Sequence, residues 1–375
     1  MKVLITGAGG FVGKNLQQHL AERKDVEVVC FTRAHTTAEL PQLLEGVAFI
    51  FHLAGVNRPQ DPQEFVTGNT DLTVALVSAA EAEGRARGRR IPIVYTSSTQ
   101  AAHDNAYGAS KHAAEEALQA YSARTGAAAH VFRLPNVFGK WCRPNYNSAV
   151  ATFCHNITRG LPIQINDPAA ALKLVYVDDV VERFIQLMEG ADASVDAEGF
   201  ATVTPQYTTT VGELAQLIET FRSSRSTLVT ERVGTGLVRA LYATYVSYLP
   251  PESFTYPVPM HGDARGVFVE MLKTPDCGQF SFFTAHPGIT RGGHYHHTKT
   301  EKFLVIKGEA RFKFRHMQTG ETHELVTSGE KAEIVETVPG WTHDITNIGT
   351  DEMVVMLWAN EIFDRAKPDT YACPL

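Results

Sequence analysis

The chain has 375 residues, enough for two independent cores, with 44% hydrophobic and 20% charged residues and a formal net charge of −7. That balance describes an ordinary soluble globular protein. The acidic surplus weighs against nucleic acid as a partner, because neutralising phosphates needs a basic surface.

No apolar run reaches the roughly 18 residues of a membrane span, and the N-terminus opens on a strand pattern where a leader would carry a charged and then an apolar region. Five cysteines (Cys30, Cys142, Cys154, Cys277 and Cys373) form no CxxC pair. Reduced thiols in a cytoplasmic protein, with no membrane and no nucleic acid as partners, are therefore expected.

From residue 1 to about 185, β-branched apolar runs alternate with amphipathic helical stretches, the pattern of a parallel sheet covered on both faces. "KVLITGAGG" predicts the first strand and "NLQQHLAERK" the helix after it. "VEVVCFTR", "VAFIFHLAG" and "IPIVYTSS" predict later strands. The basic stretch "GRARGRR" at 84–90 fits a solvated turn ahead of one of them. At Thr210 and Glu213 a capping box opens a helix, which is expected in a small substrate-side lobe.

The character changes across 248–266, where four prolines and two glycines interrupt any helix. Beyond it "GVFVEMLK", "GQFSFFTA", "EKFLVIKG", "EARFKFRH" and "MVVMLWAN" predict short strands and a compact all-β barrel or jelly roll. Two domains follow, residues 1–245 and 246–375. The fold class is a Rossmann-type doubly wound α/β sheet, then an all-β jelly-roll barrel.

Gly7, Gly10 and Gly13 make GxxGxxG between the first strand and helix, where missing side chains let backbone approach a pyrophosphate. After the second strand stand Thr32 and Arg33 in place of an acidic residue, so a guanidinium is available for the 2′-phosphate of NADPH. Tyr107 and Lys111, four apart, share one helix face, where an ammonium can assist a tyrosine that exchanges a proton with a carbonyl oxygen. Ser98, or Ser97 beside it, supplies a hydrogen-bond partner to that oxygen from a strand end.

With these residues, 1 to about 245 resembles the extended short-chain dehydrogenase/reductase family. "FIFHLAG", Asn69, "FRLPNVFGKWCRPN" and "LVYVDDVV" carry the likeness beside the glycine turn and YxxxK. The resemblance implies catalysis by Ser98, Tyr107 and Lys111. It implies cofactor contacts from Gly7, Gly10, Phe11, Val12, Gly13, Thr32, Arg33, Leu53, Ala54, Tyr107 and Lys111. Only eight residues separate Ser98 from Tyr107, fewer than is usual, so the covering loop is short or replaced.

Farther on, "GITRGGHYHHTKTEKFLVIKG" and "GWTHDITN" resemble the two cupin motifs. His294 and His296, two apart in a strand, can face one interior. Glu301 and His343 would complete a three-histidine, one-carboxylate set. Such donors suit Zn²⁺, Fe²⁺ or Mn²⁺, with Zn²⁺ the favoured divalent metal. His297 points the other way in an ideal strand and is not expected to be a ligand.

The reductase-then-cupin order, together with "STQ", "YGASK" and "FGKWCRPNYNSAVATF", resembles a group of bifunctional capsule-biosynthesis enzymes in the pathway to UDP-N-acetyl-L-fucosamine. The resemblance implies a UDP-linked 4-keto-6-deoxy amino sugar as substrate. The cupin would epimerise C3, NADPH would reduce C4, and the assembly would be a homodimer. Two other readings keep only the reductase catalytic, or make the chain a nucleotide-sensing binding protein. Tyr107 and Lys111 argue against the last.

Overall fold

A computed structural model of the chain describes residues 1–259, 261–263, 266–268, 272, 278–361 and 366–375. The expected thiol Cys277, and residues 269–271 and 273 of the strand expected at "GVFVEMLK", lie outside these. The chain forms two compact units, Met1–Val137 with Lys173–Tyr207, and Phe138–Leu172 with Thr208–Leu375.

The first unit is built on a parallel sheet of β1 (Lys2–Thr6), β2 (Glu27–Phe31), β3 (Phe49–His52), β4 (Ile93–Ser98) and β5 (Ala129–Leu134), in the order β2-β1-β3-β4-β5. The order reverses beside β1, which opens a crevice at the carboxyl ends of β1 and β3. Val3, Leu4 and Ile5 are fully buried, as a strand covered on both faces requires.

Alternation decides which residue meets which layer. Ile50 joins Leu4, Ile93 and Tyr95 against Leu76 of α2 (Leu72–Arg87) and Leu118 of α3 (Ala106–Thr125). Phe51, on the opposite face, meets Phe184 of the helix Val177–Met188, which Phe132 also packs against. Burying each of these aromatic side chains contributes about 1.5–3 kcal/mol.

The stretch "GRARGRR" closes α2, with Gly88 left-handed at φ 63° as its cap. Arg85 pairs with Glu81 and Arg87 with Glu83, each one turn back, so these charges are spent on the helix surface. No described helix is long and apolar enough to cross a membrane.

In the second unit, two five-stranded antiparallel sheets form the jelly roll. One holds β6 (Thr255–Pro257), β7 (Gln279–Ala285), β9 (Glu301–Lys307), β12 (Glu333–Glu336) and β14 (Met353–Ala359), ordered β7-β14-β9-β12-β6. The other holds β8 (Thr290–Tyr295), β10 (Glu309–His316), β11 (Thr322–Ser328), β13 (Trp341–Asn347) and β15 (Tyr371–Ala372), ordered β11-β10-β13-β8-β15. Between them Phe303 of one sheet meets Phe312 of the other edge-on, with ring centroids 5.6 Å apart.

Thr210 and Glu213 do form a reciprocal capping box at the helix Val211–Thr227. That helix falls in the same compact unit as the barrel: its buried Phe221 packs on Tyr242 and Tyr245 of the helix Gly236–Ser247, and its Arg225 reaches Glu336 of β12.

Two candidate active sites

The turn from β1 into α1 (Phe11–Ala21) has no room for side chains. Gly7 sits at φ 67°, and a Cβ there would lie 2.6 Å from the amide nitrogen of Ala54. A Cβ on Gly13 would come within 2.4 Å of the Gly7 carbonyl oxygen. Gly10 caps α1 without any side-chain hydrogen bond, so the amides of the first turn, including Phe11 and Val12, are left for an anionic ligand.

Leu53 and Ala54 donate their amides to Thr6, to its carbonyl and its hydroxyl, both at 3.2 Å, which holds them beside the glycine turn. Thr32 follows β2, its hydroxyl 3.1 Å from His35 Nδ1, and Arg33 after it is exposed.

Asn105 caps α3 by accepting the Gly108 amide at 2.8 Å, which sets Tyr107 in the first turn and Lys111 in the next. Of the eight residues between Ser98 and Tyr107, Thr99–Ala102 form a short 3₁₀ turn pressed on the start of α3. A Cβ on Gly108 would meet the Gln100 carbonyl at 2.3 Å, so glycine is what admits so short a connection.

Burial raises the Tyr107 hydroxyl pKa, and a hydrogen bond with Ser98 partly offsets that. Lys111 is buried and donates to the Thr96 carbonyl at 2.9 Å, its ammonium 4.8 Å from the Tyr95 ring centre. Burial lowers its pKa to about 8, against the opposing pull of Glu115. Close by, His52 is wedged between the hydroxyls of Thr6 (2.7 Å) and Thr73 (2.8 Å), and burial pushes it down to about 3, so it stays neutral.

Glu115 and Arg133 were missed from sequence. Glu115 lies one turn beyond Lys111, is buried, and takes both arms of the Arg133 guanidinium at 3.0 and 2.7 Å, plus the Ser97 hydroxyl at 2.5 Å. The spacing of Glu115 from Lys111 was a usable signal; nothing local marks Arg133. Asn69 ties the loop after β3 to α3, bonding Val56 through main-chain N–H and C=O and Ser110 through its hydroxyl.

In the barrel, His294 of β8 and His343 of β13 are directly paired across strands, with ring centroids 4.8 Å apart. Glu301 comes from the facing sheet, its backbone locked to Thr337 in both directions. His296 lies just past β8, with Nε2 3.0 Å from Glu301 Oε2.

One donor atom from each of the four lies within 4.8 Å of the others. His294 is driven down to about 3, first by burial and then by the neighbouring His343 and His296. Burial would raise Glu301, yet His296 and His343 hold it well below the carboxylate range. His343 is buried with neither ring nitrogen hydrogen-bonded, and its Nε2 stands 3.5 Å from Glu301, too long for a good bond. A buried imidazole left unsatisfied beside two more and a carboxylate is a donor set that fits a divalent metal ion. His297 packs edge-on against Tyr295 and Tyr371 and is outside this group.

A parallel sheet with a glycine turn and a Ser-Tyr-Lys group, beside a jelly roll with a four-donor centre, defines a dehydrogenase-type fold fused to a cupin-like barrel. The chain belongs to the NAD dependent epimerase/dehydratase family, whose model matches residues 3–200; residues 261–371 match a polysaccharide biosynthesis C-terminal domain. Within that family it is CapF-like. It is 65% identical over 373 residues to a UDP-2-acetamido-2,6-beta-L-arabino-hexul-4-ose reductase of Pseudomonas aeruginosa, covering 100% of this chain and 98% of that one. The crystal structure of the capsular polysaccharide assembling protein CapF from Staphylococcus aureus is 41% identical, with a TM-score of 0.67 over all of both chains. A UDP-glucuronic acid 4-epimerase from Bacillus cereus, solved with NAD, shares the fold at 18% identity and a TM-score of 0.55, over 66% of this chain and 98% of its own.

Proposed function

We propose that the chain is a bifunctional nucleotide-sugar enzyme. Its barrel epimerises C3 of UDP-2-acetamido-2,6-dideoxy-L-hexos-4-ulose, and its N-terminal domain, residues 1–245, reduces the C4 ketone with NADPH. The product is UDP-N-acetyl-6-deoxy-L-talosamine, for capsule or O-antigen synthesis. The observation that carries the reading is that one chain holds both a Ser98-Tyr107-Lys111 group and a buried four-donor centre. The full-length similarity to the Pseudomonas reductase supports the sugar.

In the reductase, Ser98 orients the C4 oxygen and Tyr107 gives it a proton. Lys111 keeps a positive charge near the forming phenolate. A nicotinamide cofactor, when bound, supplies the hydride that C4 receives. The amides of the Gly7–Gly13 turn would hold its pyrophosphate, Leu53 and Ala54 would flank it, and Thr32 and Arg33 would take a 2′-phosphate.

In the barrel, the C3 proton can leave because the adjacent carbonyl accepts the electron pair as an enolate. Reprotonation from the opposite face inverts C3. A divalent cation, of which Zn²⁺ suits the donors best, would be held by His294, His296, Glu301 and His343 and supply Lewis acidity toward the C4 oxygen. A homodimer in the cytoplasm completes the proposal.

The Pseudomonas relative is named for reduction alone, which favours a second reading in which the barrel is structural or oligomerising. Deuterium uptake at C3 separates the two. Incubated with the keto sugar in deuterated water without NADPH, the enzyme should label C3, and His294→Ala should not. Tyr107→Phe should keep the exchange but lose about 10²- to 10⁴-fold in reduction. No wild-type exchange would favour the reductase-only reading.

A further inference from the structure

The loop 296–300 that joins β8 to β9 carries one of the four donors and delivers the chain to another. It is held by a residue far away in sequence. The half-buried Asp369 carboxylate lies under the loop: one oxygen accepts the His297 amide at 2.9 Å. The other accepts the Thr298 and Lys299 amides at 2.9 and 2.7 Å and the Thr298 hydroxyl at 3.1 Å. Three successive main-chain N–H groups on one carboxylate fix the turn that follows His296.

The main-chain carbonyl of Asp369 takes part as well. It lies 2.6 Å from His296 Nδ1. A carbonyl oxygen only accepts, so Nδ1 keeps its proton whatever the charge of the ring, and Nε2, facing Glu301, is the nitrogen free to bind a metal. Asp369 reaches both partners at φ 40°, a left-handed conformation that aspartate, with asparagine, adopts more readily than most non-glycine residues. Its neighbours lock the same loop, because Lys299 Nζ donates to the Pro368 carbonyl at 3.0 Å and to the Thr370 hydroxyl at 2.5 Å.

We propose that Asp369 is the positioning residue of the four-donor centre, setting the ring plane and tautomer of His296 through its carbonyl and the 297–299 turn through its carboxylate. The inference rests on the metal reading above. It adds that a metal-binding site in the barrel depends on a residue from the chain's far end that donates no ligand atom.

Co²⁺ is the probe, since its visible bands report ligand geometry and a competing chelator reports affinity. Wild type should bind one Co²⁺ per chain. Asp369→Ala removes the carboxylate and leaves the carbonyl, so it should weaken binding about ten- to a hundredfold and alter the bands by releasing the 297–299 turn that holds His296 against that carbonyl. Asp369→Asn, which keeps one acceptor oxygen, should fall between. Thr298→Ala, which removes the hydroxyl's bonds to Asp369 and Arg239 but keeps the Thr298 amide on the carboxylate, should leave the spectrum unchanged. A folded Asp369→Ala with wild-type affinity and spectrum would overturn the inference and leave the metal reading standing. If that variant does not fold, Asp369→Asn decides by the same criterion. Absence of Co²⁺ binding by wild type would remove both.

Discussion

Ser97 and Ser98 are adjacent on β4, yet the hydroxyl of Ser97 donates to the buried carboxylate of Glu115 while that of Ser98 accepts the Gln100 amide at 3.1 Å and lies on the Tyr107 side, where it lowers the Tyr107 pKa. Alternation along the strand separates them, one into the space under α3 and the other toward the start of the helix.

The two alanine substitutions should therefore act differently. Ser98→Ala should lower kcat/KM for reduction about ten- to a hundredfold, the loss of one charge-assisted hydrogen bond of about 1.5–3 kcal/mol. Ser97→Ala should leave turnover per folded molecule near wild type and lower stability by about 1–3 kcal/mol, because it deprives a buried carboxylate of a donor. Steady-state kinetics beside thermal melts checks both, and equal kinetic losses would refute the distinction.

With Lys111 in the role proposed above, the reduction should have an alkaline limit. Its pKa is lowered from an ordinary 10.5 to about 8, by burial first, with Glu115 pulling the other way. The pH profile of kcat/KM for reduction should fall above about pH 8 as the ammonium is lost. Glu115→Gln should move that limb to lower pH, since Glu115 is what raises the Lys111 pKa. The linkage to stability has the opposite sign. Between about 8 and 10.5 the unfolded chain holds the Lys111 proton more tightly than the folded one, so this group's contribution to stability rises with pH while activity falls. An unmoved limb in Glu115→Gln would exclude Lys111 as its source.

Much of this architecture is legible in the chain because the relevant contacts are local or periodic. Val3, Leu4 and Ile5 form a continuous apolar run only a two-sided sheet can bury, and the Gly7 turn follows directly. The four barrel donors are marked by spacing within two short segments. What escaped is what tertiary closure makes. Arg133 is 18 residues from Glu115, and Asp369 is 72 from the His297 amide it binds, so no periodicity links them. The helix Val211–Thr227 shows the same limit, since its capping box is local but its partners in the barrel's unit are not.

Arg33 stands exposed directly after β2, where no acidic residue awaits a ribose hydroxyl. Arg33→Ala should bind NADPH about ten- to a hundredfold more weakly and NADH unchanged, as expected for losing a charge-assisted contact of about 1.5–3 kcal/mol. Fluorescence titration with both nucleotides measures it. Equal weakening of the two would mean that Arg33 supports the fold of the turn and does not read the phosphate.

Behind the metal-type centre, Lys302 turns away from the barrel interior that its neighbour Glu301 faces, and makes a buried ion pair with Glu336. Arg225 adds a second contact to the same carboxylate at 3.0 Å, and Tyr256 Oη lies 3.0 Å from the Lys302 ammonium. Two cations on one buried carboxylate tie the helix Val211–Thr227 to β9 and β12. Removing the carboxylate alone strands both charges, so Glu336→Leu should cost about 3–5 kcal/mol of stability. Replacing the pair together, Lys302→Met with Glu336→Leu, should recover a large part of that, because the desolvation of one cation disappears with its partner. Recovery should be incomplete, since Arg225 still faces the vacated position. Chemical denaturation of the two single variants and the double variant gives the coupling energy directly. Strict additivity would mean that Lys302 and Glu336 do not depend on one another.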